Sequence, residues 1–134
     1  MKQIINILLL LVFTLIILYP GCDDTIVNND IDQIDIPDSD VSYSKHIAPV
    51  FNVKCVPCHN SSTAEGGLDL SVWTKFVDGY HVVPSSPETS VLVWSIDPKY
   101  GYELMPPVGT PYEPLTPDQV QGVITWIEEG AENN

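Results

Sequence analysis

The residues best suited to chemistry are Cys55-Val56-Pro57-Cys58-His59, where two residues separate two thiols and a histidine follows the second. Thiolates and imidazole nitrogens bind zinc or iron, and two thiols at this spacing can also cycle between dithiol and disulfide. A third possibility is that both sulfurs are bonded covalently to a cofactor, with the histidine beside it. Features elsewhere in the sequence are needed to distinguish these three kinds of site.

The first 21 residues indicate that the chain is exported. Lys2 precedes an apolar run from Ile4 to Leu18, which is shorter than the roughly 20 residues of a membrane-spanning helix and is typical of a secretory signal. The segment Tyr19-Pro20-Gly21-Cys22 is similar to the end of a bacterial lipoprotein signal, in which the cysteine is lipidated. We predict a signal peptide at residues 1–21 and a lipid on Cys22, which would tether the chain to the bacterial cell envelope, facing the periplasm or the cell surface. An uncleaved anchor helix and ordinary cleaved export are the alternatives, and they also place the chain outside the cytoplasm.

The charge of the chain excludes one class of partner. Eighteen acidic residues face five basic ones, all of them lysines, and the formal net charge is −13. Nucleic-acid phosphates would be repelled, so we expect either a partner protein with a basic docking surface or simply high solubility.

The acidic residues also suggest how the chain is organised. Residues 22–41 contain seven aspartates and no cation, which predicts a solvated tether followed by one folded domain at residues 42–134. The isoleucines of this stretch leave open that part of it packs onto the domain; they are Ile26, Ile31, Ile34 and Ile36.

Apolar spacing and capping signals in the folded part predict an all-α domain of three to five short helices. The predicted helices cover residues 42–54, 72–77, 88–96 and 117–129. Ser71 is the expected cap of the second helix, and Thr116 with Gln119 forms a capping-box pattern before the last. The core of so small a domain is marginal by itself, and long loops rich in proline and glycine connect the helices, so we expect the chain to wrap around a large group.

These observations favour the covalent interpretation of the two cysteines. A redox dithiol would be expected in a βαβ setting, and a zinc site needs four ligands although Cys22 is the only further cysteine. Cys-x-x-Cys-His in an exported chain is the attachment signature of a c-type haem. We therefore predict one covalently attached haem c, with thioether bonds to Cys55 and Cys58 and with His59 as the proximal iron ligand.

Five segments, the first of which includes the Cys55–His59 motif, follow one another in a recognisable order. They are YSKHIAPVFNVKCVPCH, GGLDL, PETSVLVWSI, LMPP and LTPDQVQGVITWIEEGA, between residues 43 and 131. In these segments the sequence resembles a small class I monohaem cytochrome c, and more narrowly the planctomycete-type cytochrome c domains of exported bacterial proteins. The resemblance implies a small cytochrome c fold wrapped around one haem.

The resemblance also implies the second iron ligand. Met105 precedes two prolines, whose fixed φ makes a stiff arm able to hold a thioether against iron. A methionine that merely fills a gap in the core is the alternative role, and His81 is the alternative ligand. The Pro84 carbonyl is one candidate to accept a hydrogen bond from Nδ1 of His59, and His46 is expected at the surface or between helices.

Other side chains are expected around the haem pocket. Gly66 and Gly67 would let the backbone approach the haem or turn tightly. Leu68, Leu70, Leu92 and Leu104 are expected to line the pocket. Phe51 and Trp126 are expected near the haem edge, in the ordinary hydrophobic core, or in both. Tyr80, Trp94, Tyr100 and Tyr102 are candidate hydrogen-bond donors to a propionate, with a surface position as the alternative.

An iron with both axial positions filled has no open site for a substrate. The expected activity is therefore single-electron transfer between redox partner proteins rather than catalysis. Two alternatives stay open: a haem-bearing subunit of a larger oxidoreductase, and a sensor or peroxidase-like protein with a labile sixth ligand.

Overall fold

The structure, a computed structural model, describes residues 30–134, and within this range it is helical without strands. Helix α1 (Ala48–Lys54) continues from a π-helical turn (Tyr43–Ile47), and it is followed by α2 (Val91–Ile96) and α3 (Pro117–Glu128). Short 3₁₀ turns lie between the helices, at Glu65–Gly67, Trp73–Lys75, Pro87–Thr89 and Pro98–Tyr100. The predicted all-α class is confirmed.

The start of α3 follows its sequence signal closely. The Thr116 hydroxyl accepts a hydrogen bond from the Gln119 backbone N–H, and the Gln119 side-chain oxygen accepts one from the Thr116 N–H. Pro117 occupies the first helical position, where the missing N–H costs nothing. The predicted capping box is confirmed.

Two of the predicted helices are shorter than the apolar spacing indicates. The helix expected at residues 72–77 is only the turn Trp73–Lys75, because the Ser71 side chain bonds to Asp69 instead of capping it. The helix expected at residues 88–96 is interrupted at Ser90, whose backbone is extended (φ −81°, ψ 117°). The Ser90 hydroxyl is fully buried, where it donates to the Ser86 carbonyl and accepts from the Val83 N–H.

Aromatic side chains join the first and last helices. The Phe76 ring lies 5.8 Å from the Phe51 ring of α1 and 6.4 Å from the Trp126 ring of α3, and Tyr43 packs on Trp126 at 5.4 Å. Phe51, Phe76 and Trp126 are almost completely buried. This cluster fixes the position of α1, and therefore of the cysteines that follow it.

The N-terminal segment (residues 31–41) packs on this core. Ile31, Ile34 and Ile36 are partly buried against it, and Val41 is fully buried. The Glu129 carboxylate accepts hydrogen bonds from the backbone N–H groups of Asp40 and Val41, at 2.6 and 2.8 Å. Residues 31–41 of the acidic stretch are therefore part of the packed domain, which is the alternative that the sequence left open for this stretch.

The predicted signal peptide and the predicted lipid attachment at Cys22 lie outside the described residues. Between residues 30 and 134, the helices are too short and too polar to cross a bilayer.

Candidate cofactor site

The two cysteines and the histidine lie immediately after α1. The Cys55 N–H donates to the Phe51 carbonyl and the His59 N–H donates to the Cys55 carbonyl, both at 2.9 Å, so helical turns continue through the motif. Asn60 closes the turn, because its side-chain nitrogen donates to the Val56 carbonyl at 2.8 Å. Both cysteines have free thiols.

A backbone hydrogen bond fixes the Nδ1 edge of the His59 ring. His59 Nδ1 lies 2.9 Å from the carbonyl oxygen of Glu65. A carbonyl can only accept, so Nδ1 carries the proton and the lone pair of Nε2 stays available to a metal. The expectation that Pro84 would accept this proton was wrong, because the loop after the motif turns back at Gly66 (φ +66°) and brings the Glu65 carbonyl to the ring.

A cavity of about 420 Å³ opens beside the motif. Its volume falls in the range of about 300–1,000 Å³ that small-molecule and cofactor sites occupy. Cys55, Cys58, His59 and Met105 all line it. Most of the remaining wall is apolar, contributed by Leu68, Leu70, Val91, Leu92, Ile96, Pro106 and Pro107.

Met105 is held at the cavity by α2. Its backbone N–H donates to the Ser95 carbonyl at 2.8 Å, and Ser95 itself lines the cavity. His81, the alternative ligand, also lines the cavity, with Nδ1 bonded to the Asp78 carboxylate at 2.7 Å. The wall therefore offers a thioether and a second imidazole.

The other residues expected around the pocket fall into two groups. The cavity is lined by Leu68, Leu70, Leu92 and Tyr80, as expected. It is not lined by Leu104, Phe51 or Trp126, and the last two belong to the aromatic core.

The remaining expectations concern three aromatic residues and His46. Trp94 and Tyr102 stack on each other at 5.6 Å, and the Tyr100 ring lies under the Lys99 ammonium, so these three rings are not part of the lining. His46 accepts a hydrogen bond from the Ser42 N–H and lies away from the cavity.

Several lining residues were not foreseen, and three of them are informative. Thr110 and Tyr112 lie in an aperiodic, proline-rich loop that gives no sequence signal for its direction. Lys54 also lines the cavity, although a lysine at the end of an amphipathic helix normally points to solvent. Its helical spacing from Ile47, Val50 and Phe51, which places it on the buried face of α1, was the available signal.

The cysteine environment bears on the competing interpretations. Burial raises the pKa of the Cys55 thiol to about 12, which keeps it protonated and poorly suited to thiol–disulfide exchange. Between residues 30 and 134, no three His, Cys, Asp or Glu side chains converge to hold a metal ion, so the ligand set of a structural zinc site is not assembled there.

The residues present fit a haem. Two thiols precede an imidazole with a free Nε2, a thioether lies on the same cavity, and the remaining wall is largely apolar. A small all-α fold with two thiols, an imidazole and a thioether on one apolar cavity is typical of the haem-binding cytochromes. Residues 55–109 match the sequence model of the family described as Planctomycete cytochrome C. The match supports a planctomycete-type cytochrome c domain over this part of the chain, in a family that binds haem and is typically extracytoplasmic. No curated protein and no solved structure gives a significant match.

Proposed function

We propose that the protein is a membrane-tethered monohaem cytochrome that carries single electrons between redox partners outside the cytoplasm. One observation carries this proposal: Cys55, Cys58, His59 and Met105 lie on the wall of a single, largely apolar cavity. In this proposal one haem c is bonded to both cysteines. When bound, it supplies one-electron chemistry between the ferric and ferrous states.

Each residue of the site has a distinct task in the proposal. Cys55 and Cys58 hold the cofactor covalently, so that it is not lost outside the cell. His59 offers Nε2 to the iron while its Nδ1 proton is held by the Glu65 carbonyl, which fixes the ring and strengthens it as a donor. Met105 offers the second axial ligand, and thioether ligation favours the ferrous state.

The apolar wall has two consequences for the proposed activity. Leucine, isoleucine and proline side chains exclude water, which keeps the local dielectric constant low and reduces the rearrangement that accompanies a change of charge. If His59 and Met105 both held the iron, no open site would be left for a substrate. The proposal is therefore a carrier and not an enzyme.

The proposed tether is short. If Cys22 carries a lipid, the chain from Cys22 to Ile31, which packs on the domain, can span at most about 30 Å. The domain would therefore stay close to the membrane surface and exchange electrons with partners that reach it there. The formal charge of −13 favours a partner with a basic docking surface.

Absorbance spectroscopy and CO binding on the haem-loaded full chain test whether His59 and Met105 both bind the iron. We expect the ferric protein to show the weak long-wavelength absorbance band of methionine-ligated haem, and the ferrous protein not to bind CO. Met105→Ala should lose the band and bind CO, because one axial position opens. The matched control His81→Ala should keep the wild-type behaviour. Ready CO binding by the wild-type protein would overturn the carrier proposal in favour of the sensor or peroxidase-like alternative.

The subunit alternative is tested separately. A carrier should be recovered mainly alone when it is solubilised from its native membrane in mild detergent and purified under low salt. A permanent subunit should be recovered in a fixed stoichiometric complex with an oxidoreductase, and that result would replace the carrier proposal.

A further inference from the structure

Lys54 is a buried cation at the wall of the cavity. It is the last residue of α1 and precedes Cys55, and its side chain is only 1% exposed. An ammonium group taken out of water costs several kcal/mol unless it is paired and hydrogen-bonded. The identity of its partners therefore matters for the site.

The partners come from two distant parts of the chain. Lys54 Nζ lies 2.6 Å from Asp32 Oδ1, in the N-terminal segment (residues 31–41), and donates to the Pro114 carbonyl at 2.9 Å. Pro114 belongs to the loop that also contributes Thr110 and Tyr112 to the cavity wall. One ammonium group thus connects the N-terminal segment, α1 and the loop.

Contacts with α3 hold Asp32 in place. The Gln119 side-chain nitrogen donates to the Ile31 carbonyl at 2.8 Å and approaches Asp32 Oδ1 at 3.4 Å. Farther along, Ile36 packs so closely on α3 that a Cβ at Gly122 would lie 2.6 Å from Ile36 Cγ2. The N-terminal segment is therefore seated on the domain by specific contacts, although it lies before the residues that match the family model.

We propose that Asp32 is a positioning residue for the redox site: it neutralises the Lys54 ammonium at the cavity wall and fixes the N-terminal segment and the 110–114 loop around it. This inference rests on the proposed function, because it concerns the charge next to the haem. It gives residues 31–41 a role in the site in addition to that of a tether.

The inference predicts the sign of a change in reduction potential. The ferric state carries one more positive charge than the ferrous state, so an unpaired cation at the cavity wall disfavours the ferric state. Removing the Asp32 charge should therefore raise the midpoint potential. Removing both charges should return it toward the wild-type value, since the wall is again neutral.

The test compares four forms of the haem-loaded full chain: wild type, Asp32→Asn, Asp35→Asn and the double variant Asp32→Asn/Lys54→Met. Asp35→Asn is the matched control, since it removes the same charge from an exposed position three residues away. One readout is the midpoint potential from a spectroelectrochemical titration. The second is the rate of backbone hydrogen–deuterium exchange over residues 31–41, which does not depend on redox activity.

We expect Asp32→Asn to raise the potential and speed exchange of the segment, Asp35→Asn to leave exchange unchanged with a smaller shift in potential, and the double variant to restore the potential. Equal potentials and equal exchange rates in Asp32→Asn and Asp35→Asn would overturn the inference. That failure is distinct from failure of the proposed function, in which the wild-type chain itself would not take up and release an electron.

Discussion

His59 Nδ1 donates a hydrogen bond to the carbonyl oxygen of Glu65 at 2.9 Å, so the tautomer of the His59 imidazole is fixed by a backbone group six residues later in the chain. The carbonyl is presented by a turn in which Gly66 (φ +66°) and Gly67 (φ +79°) have left-handed backbone conformations. Residues with a Cβ adopt this conformation at a cost of about 1–2 kcal/mol. The orientation of the His59 ring, the proposed iron ligand, therefore depends on a glycine turn.

Gly66→Ala tests that dependence. A Cβ at Gly66 would meet no protein atom within 4 Å, so the expected cost in the haem-free chain is backbone strain, about 1 kcal/mol in the free energy of unfolding. Relief of the strain should rotate the Glu65 carbonyl away from His59 and shift the midpoint potential of the haem-loaded protein. Urea denaturation and a redox titration measure the two effects.

Gly101→Ala is the matched control for that prediction. Gly101 also has a left-handed conformation (φ +73°) with open space around its Cβ position, and it lies away from the cavity lining. We expect the same loss of stability and no change in potential. Equal shifts of the potential in both variants would contradict the role of the Glu65 carbonyl.

Gly122→Ala tests how closely the N-terminal segment is seated on α3. The added methyl group would overlap Ile36 Cγ2, and overpacking of this kind costs about 1–3 kcal/mol. We expect a lower free energy of unfolding by urea denaturation. Ile36→Ala removes the overlapping atoms, so the double variant should be less destabilised than the sum of the single variants. Strict additivity would show that the two residues do not touch.

The Asp69 carboxylate is expected to make the free energy of unfolding depend on pH in the acid range. Hydrogen bonds from the side chains of Lys75 and Ser71 lower the pKa of Asp69 to about 2. Because the ordinary value is about 3.9, the ionised carboxylate stabilises the folded state above about pH 4, and this contribution is lost as the pH falls to about 2.

The measurement is the free energy of unfolding of the wild type and of Asp69→Asn between pH 7 and pH 2. We expect the variant to be less stable at pH 7 and the difference to shrink as the pH falls through that window. Lys75→Met removes the main partner and should show the same narrowing. A difference that stays constant with pH would contradict the assignment.

Local sequence signals anticipated much of the fold and of the site. The capping box at Thr116 and the Cys55–His59 motif each depend on residues within a few positions of one another, so the sequence alone defines them. The break at Ser90 was missed, because it arises from hydrogen bonds to Ser86 and Val83 that apolar periodicity does not report.

Long-range relationships could not be read from the sequence in the same way. The pair formed by Lys54 and Asp32 joins residues 22 positions apart, and the spacing of the two residues gives no sign of it. The partner of His59 was misassigned to Pro84, because any backbone carbonyl can accept a proton and only the path of the loop selects Glu65.

The proposed function depends on covalent attachment of one haem to Cys55 and Cys58. Its most direct test is the intact mass of the full chain, produced in a bacterium that attaches c-type haem and then extracted with acid–acetone. We predict that the wild-type chain keeps the mass of one haem and that Cys55→Ser/Cys58→Ser loses it completely. A wild-type chain that absorbs as a haem protein before extraction but has the mass of the polypeptide alone afterwards would contradict the claim.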